Sequence, residues 1–362
     1  MITRYVTGLN DDAALARHRR AAGQAWPRRV ALVCPGIEDN LGDLAIHDAT
    51  RALGEELGVY LDRVPYLSRE RRLARLGLSA RRYFDGALLG GGTLINGYWL
   101  DQVEAWGDMV EHAWTFGTGV GSSGFSQGPG FTLDPRWVAL LSRFAAVGVR
   151  GPISARRLEE AGVPRVEVVG DTALGLAATY GAGNGTARDR FLVNVAGAPE
   201  ARRDEVETSI ALTVAAAREL ASAGLRPLPV AFTPWDSEPT AEAIARLGYD
   251  EPVLAHADVP ALMTALGTCA TGIAVRLHGS ILAAAAGAPV LLFAYRDKAW
   301  DYLDSIDARR LGLDDTVTPD GAAARARELA AELDQMGAHV LERSLHWAGI
   351  QRAYAQRTWG AA

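Results

Sequence analysis

Residues 145–169 read Ala-Ala-Val-Gly-Val-Arg-Gly-Pro-Ile-Ser-Ala-Arg-Arg-Leu-Glu-Glu-Ala-Gly-Val-Pro-Arg-Val-Glu-Val-Val. Ala145–Val149 is a short apolar run, as expected of a strand buried on both faces. Pro152 suits the first position of a helix. Ile153–Ala161 continues that helix, and Gly162 is a C-cap signal. Val166–Val169 is the next strand. Two strands joined through a helix run parallel, so this stretch announces an α/β fold.

The same alternation extends both ways. Upstream, a strand is expected at Arg29–Cys34. A helix follows over Asn40–Leu57, with Leu41, Leu44, Ala45, Ala49, Leu53 and Leu57 at helical spacing. Gly86–Leu89 and Trp114–Gly117 read as further strands. Downstream, Ala177–Arg188 is rich in small residues and glycine, the composition of a linker. The alternation then restarts. Strands are expected at Phe191–Val195, Leu228–Phe232, Thr271–Val275 and Val290–Phe293. Helices are expected at Asp204–Ala223, Pro239–Leu247, Pro260–Leu266 and Ser280–Ala286. Two tail helices, Gly321–Met336 and Val340–Tyr354, close the chain. The outline is two Rossmann-like domains with an interdomain cleft: an N-terminal extension (1–28), a first domain (29–178), a second domain (189–320) and C-terminal helices (321–362).

A chain of 362 residues has ample core for two domains. The formal net charge of −6 argues against general nucleic-acid affinity, so an anionic substrate has to be met by local arginines or helix N-termini. Cys34 and Cys269 lie in apolar contexts and read as buried free thiols, pointing to a reducing compartment. Residues 1–20 lack a signal-peptide pattern. The uncharged run at 279–295 is short for a membrane span and is broken by Gly287-Ala288-Pro289. The expectation is a cytoplasmic protein, at most peripheral to the inner face of the membrane. No Cys/His cluster has zinc spacing, and neither metal nor cofactor is expected.

Several strand exits carry polar or glycine-rich motifs. Asn40-Leu41-Gly42-Asp43 opens the first helix, with Asp43 free to cap it or bond a ligand hydroxyl. Gly90-Gly91-Gly92 stands where a strand ends and a helix could begin, a place to seat phosphate or simply a tight turn. Gly117–Gly124 is a second glycine-rich exit. Arg150 sits at a strand C-terminus, where open α/β sheets hold ligands, or else makes a surface ion pair. Arg276 and His278, two apart at another strand exit, could converge, Arg for bidentate anion recognition and His for proton transfer. Lys298 is the single lysine among 37 Lys+Arg residues. A compact, titratable charge there is hard to replace by arginine. Trp99, Trp235 and Trp300 lie near these loops as candidate sugar-stacking faces.

In this order, Asn40-x-Gly42-Asp43-x-Ala45-Ile46, Gly90-Gly91-Gly92, Val149-Arg150-Gly151-Pro152-x-Ser154, Gly170-Asp171-Thr172-Ala173, Arg276-Leu277-His278, Ala286–Val290, and Tyr295 with Lys298 resemble the polysaccharide pyruvyl transferase family. The resemblance covers about residues 30–305. It implies a fold similar to the GT-B glycosyltransferases. It also implies transfer of a pyruvyl group from phosphoenolpyruvate to a saccharide or lipid-linked saccharide, usually as a ketal, in cell-envelope polysaccharide biosynthesis. His278, Arg276 and Lys298 are then the expected catalytic residues. Arg150, Asn40, Gly42, Asp43, Gly90, Gly91, Gly92, Asp171 and Tyr295 are expected to bind substrate. Asn96 stands where the family often has an acidic residue, and Gly121–Gly130 departs from the usual loop. The alternatives are a GT-B enzyme using a nucleotide sugar, and a non-catalytic saccharide- or partner-binding relative; a homodimer is also allowed for.

Overall fold

A computed structural model describes residues 28–35, 40–63, 84–109, 111–121, 131–181, 187–198, 201–255 and 258–360. The N-terminal extension up to residue 27, the loop at 122–130 and residues 182–186 of the expected linker lie outside this range.

The first half contains β1 (Arg28–Val33), α1 (Leu41–Glu56), β2 (Val59–Arg63), β3 (Gly86–Leu89), β4 (Gly92–Ile95), α2 (Leu100–Met109), β5 (Ala113–Val120), α3 (Pro135–Ser142), β6 (Ala146–Val149), α4 (Pro152–Glu160) and β7 (Val166–Val168). A 3-10 turn at Thr172–Leu176 runs into α5 (Ala177–Tyr180). The strands form one parallel sheet in the order β2-β1-β3-β5-β6-β7, with β4 also paired to β5. The second half contains β8 (Arg190–Asn194), α6 (Arg203–Ser222), β9 (Arg226–Pro229), a 3-10 turn (Pro234–Asp236), α7 (Ser237–Arg246), α8 (Val259–Leu266), β10 (Cys269–Ala274), α9 (Leu277–Ala285), β11 (Val290–Phe293), α10 (Asp297–Ser305) and β12 (Gly312–Leu313). Its parallel sheet has the order β12-β11-β10-β8-β9. Helices α11 (Pro319–Ala330) and α12 (Leu333–Arg357) end the chain.

Each sheet reverses its direction of growth beside its first strand, β1 or β8. Ligands in such sheets bind outside the strand C-termini at that reversal. Local chemistry accounts for the helices on these crests. Asn40 caps α1 by accepting the Gly42 and Asp43 N–H groups, so the cap is Asn40 rather than Asp43. Leu41, Ala45, Ile46 and Ala49 fall on one buried face of α1. Pro152 begins α4, and Gly162, at φ +87°, follows its end.

Three expectations are corrected. No helix follows the glycine triplet directly: Gly92 begins β4, so no helix dipole points there. The expected linker is partly ordered, because Ala177–Tyr180 continues the preceding 3-10 turn as a helix. The tail divides at Ala331–Glu332 instead of running to Met336, since α11 stays against α6 in the second domain while α12 turns back to the first. There Tyr354 Oη donates to Thr115 O at 3.0 Å and Gln351 Nε2 to Asp171 O at 2.8 Å, while Trp347 Nε1 donates to Ser305 O of the second domain at 2.9 Å. Helices α2, α3 and α10 and strands β2, β4 and β12 were not anticipated. Among the described residues, no helix is long and apolar enough to cross a membrane. Cys34 and Cys269 are buried and unpaired with each other.

Candidate active site

The N-terminus of α1 enters the second domain. Leu41 N donates to Phe232 O at 2.9 Å. The next residue, Gly42, lies flat against His278 in the first turn of α9. A Cβ on Gly42 would fall 2.1 Å from His278 Nδ1, so only glycine permits this approach. Asp43 follows, its Oδ2 accepting a hydrogen bond from Asn40 Nδ2 at 2.8 Å.

Arg276 and His278 are not neighbours on a strand. β10 stops at Ala274, Arg276 takes the N-cap position of α9 with φ −75° and ψ 130°, and the two side chains part. The Arg276 guanidinium turns to the fully buried Asp236, with Nη2 2.7 Å and Nε 3.1 Å from Oδ1. Nη2 also donates to Gly197 O at 2.6 Å, and the backbone N–H donates to Asn194 Oδ1 at 2.9 Å. Asp236 further accepts the N–H groups of Gly197, Phe232 and Thr233. Arg276 is thus held rigidly at the sheet reversal, its fork facing a carboxylate of its own domain. Sequence reasoning missed Asp236 and Asn194. The one available signal was a polar Asn at the end of an apolar strand.

His278 faces the first domain. Its Nε2 is 4.0 Å from Asp171 Oδ2, and neither atom has a hydrogen-bond partner among the described residues. The other Asp171 oxygen accepts the Ala173 N–H at 3.1 Å. Arg150 is 1% exposed. Its Nη1 lies 3.4 Å from Thr93 Oγ1 and its Nε 3.5 Å from Asp301 Oδ2. Lys298 belongs to the first turn of α10, facing the same space, and no hydrogen bond joins it to the described residues.

Burial, modified by neighbouring charges, shifts His278, Lys298, Asp43 and Asp171. Burial pushes His278 from 6.5 down to about 3, with Lys298, Arg150 and Arg276 adding to the effect. Burial, then Arg296, Arg150 and Arg276, lowers Lys298 from 10.5 to about 7 against the attraction of Asp43. Burial raises Asp43 from 3.8 to about 7 and Asp171 to about 6; Lys298 and Arg276 oppose the first shift, Arg150 the second. These are desolvation shifts of the kind that gather at functional sites.

The remaining candidates lie apart from this cluster or beneath it. Gly91 packs under it, where a Cβ would meet Thr172 Oγ1 at 2.8 Å and Ile46 at 2.9 Å. Gly90 N donates to Val33 O, while Gly90 O accepts from Thr118 Oγ1 at 2.8 Å. The triplet therefore allows close packing and is not an open anion loop. Tyr295 is 38% exposed, with the Arg296 guanidinium 5.2 Å from its ring centre. Trp99 is core, and Trp300 packs on Gly312 under Arg309; of the three tryptophans only Trp235 is widely exposed. Asn96 is buried and closes a turn by accepting the Tyr98 and Trp99 N–H groups.

This arrangement is met in other proteins at the level of fold. MnaA of S. aureus, solved with UDP, superposes with a TM-score of 0.58 at 12% identity, covering 87% of this chain and 91% of that one. The UDP-GlcNAc 2-epimerase of Neisseria meningitidis, bound to UDP-GlcNAc, gives 0.57 at 8% identity, with 91% and 98% covered. Anabaena HepE, in complex with UDP and glucose, gives 0.54 at 13% identity, with 91% and 99% covered. Such identities establish the GT-B arrangement of two Rossmann-like domains and nothing about substrate. No curated protein sequence matches the chain. Residues 40–297, most of the chain, match the family described as polysaccharide pyruvyl transferase, and the chain belongs to that family.

Proposed function

We propose that this protein transfers the pyruvyl group of phosphoenolpyruvate to two hydroxyls of a free or lipid-linked saccharide, forming a cyclic ketal and releasing phosphate. The observation that carries this reading is the gathering of Arg150, Lys298 and His278 with Asp43 and Asp171 where α1 reaches α9, with the charge of Arg276, held on Asp236, acting on Asp43, His278 and Lys298. The positive charges of Arg150 and Arg276 help to hold the pKa values of Lys298 and His278 down. A bound anion relieves that repulsion, and phosphoenolpyruvate brings a phosphate and a carboxylate together.

The reaction needs a proton at the methylene carbon, attack by a first hydroxyl on the adjacent carbon, and displacement of phosphate by a second hydroxyl. The sequence reading cast His278 as the acid. The lowered pKa of His278 favours the opposite assignment. With a pKa near 3, His278 is neutral at physiological pH and suited to take a proton from an acceptor hydroxyl. Asp43, near 7, holds a proton that it can give to the methylene carbon. Donor charge raises Asp43 further, whereas the burial that dominates His278 persists. Asp171 orients the His278 ring, and Lys298 with Arg150 balances the charge on the departing phosphate.

Calorimetric titration with phosphoenolpyruvate, in parallel with UDP, tests the reading. Saturable phosphoenolpyruvate binding in the wild type, weakened but still measurable in Lys298→Ala, is expected. Binding of UDP without phosphoenolpyruvate would overturn it in favour of a nucleotide-sugar enzyme. Once an acceptor is in hand, kcat/KM should fall as pH rises through about 7, where Asp43 and Lys298 both lose their protons. A profile that rises through that range would exclude Asp43 as the acid.

A further inference from the structure

Helix α4 begins after Gly151, which has no side chain with which to cap it. The cap comes from the other domain. Asp301 of α10, 2% exposed, accepts the backbone N–H groups of Ile153 (2.9 Å) and Ser154 (3.0 Å) on Oδ1 and the Ser154 hydroxyl (2.6 Å) on Oδ2. Oδ2 also lies 3.5 Å from Arg150 Nε. Gly151 is what admits it: a Cβ there would sit 2.2 Å from the Asp301 carbonyl oxygen. One turn earlier, Asp297 pairs with Arg157 of α4, whose Nη1 donates to Val120 O at 3.1 Å. Positions 297 and 301 share a helix face, so α10 grips the first domain at two points with Lys298 between them.

We propose that Asp301 is a positioning residue: by capping α4 across the cleft, it sets Lys298 of the second domain against Arg150 of the first. A carboxylate at a helix N-terminus gains from the helix dipole and from charge-assisted hydrogen bonds. Removing it strips Arg150 of its nearest counter-charge and frees the helix that carries Lys298. The proposal rests on the anion-site reading above for what Lys298 does.

Its test is phosphoenolpyruvate titration of wild type, Asp301→Ala, Asp301→Asn, Lys298→Ala and the Asp301→Ala/Lys298→Ala double variant. Thermal melts and small-angle scattering of the unliganded proteins accompany it. Asp301→Ala is expected to weaken binding by at least about tenfold, yet to add little once Lys298 is gone. Asp301→Asn should keep part of the affinity, because its remaining carbonyl oxygen can still accept both backbone N–H groups. Full additivity in the double variant would overturn the proposal. So would a lowered melting temperature with unchanged affinity. If the wild type fails to bind phosphoenolpyruvate, the functional reading falls and scattering decides the latch: a larger radius of gyration for Asp301→Ala upholds it, and an unchanged radius refutes it.

Discussion

Lys298 carries its charge against burial and three guanidinium groups. Its folded pKa, about 7, lies below the unfolded 10.5, so the charge opposes folding fully below pH 7 and progressively less as pH rises towards 10.5. Lys298→Met should therefore raise the melting temperature, more at pH 6 than at pH 9, while weakening anion binding. An equal shift at both pH values would mean that Lys298 is not desolvated. Gly42 is the opposite kind of residue, needed for what it lacks. Gly42→Ala places a methyl group against His278 Nδ1 and should cut turnover on the order of a hundredfold while the fold survives; unchanged turnover would show that His278 can retreat without loss. At this scale the sequence named Arg150, Arg276 and His278, because strand exits before helices are recognisable from glycine, proline and apolar runs; Lys298 stood out as the single lysine, and Asp171 came through the family resemblance. It did not name Asp236 or Asp301. Each acts on a residue far away along the chain, and local spacing holds no trace of that.

Among the elements, the α/β alternation was readable wherever a strand was an unbroken apolar run. α10 went unseen because Asp297–Ser305 alternates charged and aromatic residues with no proline or glycine to mark its start. α3 did carry its marks, Asp134 as cap and Pro135 at the first position. The break between α11 and α12 falls at Ala331–Glu332, among good helix formers. Packing against two different domains overrides propensity there. The return of α12 relies on glycine as well. Gly170 has φ +78°, and a Cβ would sit 2.8 Å from the Trp347 ring. Gly170→Ala should cost about 1–3 kcal/mol in denaturant unfolding. A smaller loss would mean that α12 can shift outward freely.

For the molecule as a whole, one buried cluster joins the two domains, while the first domain's sheet keeps two further clusters. Leu41, Ala45 and Ile46 of α1 belong to the same buried cluster as Val193, Ile273 and Leu291 of the second sheet, which Val340 and Trp347 of α12 also join. Scanning calorimetry should accordingly record a single cooperative transition. Two resolved transitions would show that the cleft opens before either domain melts. The return of α12 also bears on how the chain is made. Tyr354, Ala355 and Trp359 complete the cluster beneath β1, β3 and β5, with Phe116 stacked on Tyr354, and Arg28 Nη1 reaches Gly360 O at 2.7 Å. The first domain is synthesised first, but its interior is closed by residues translated only after the whole second domain. Its strands must wait, unfinished, while the second domain is translated, which makes the nascent chain a natural client for chaperones that shield exposed apolar sheet.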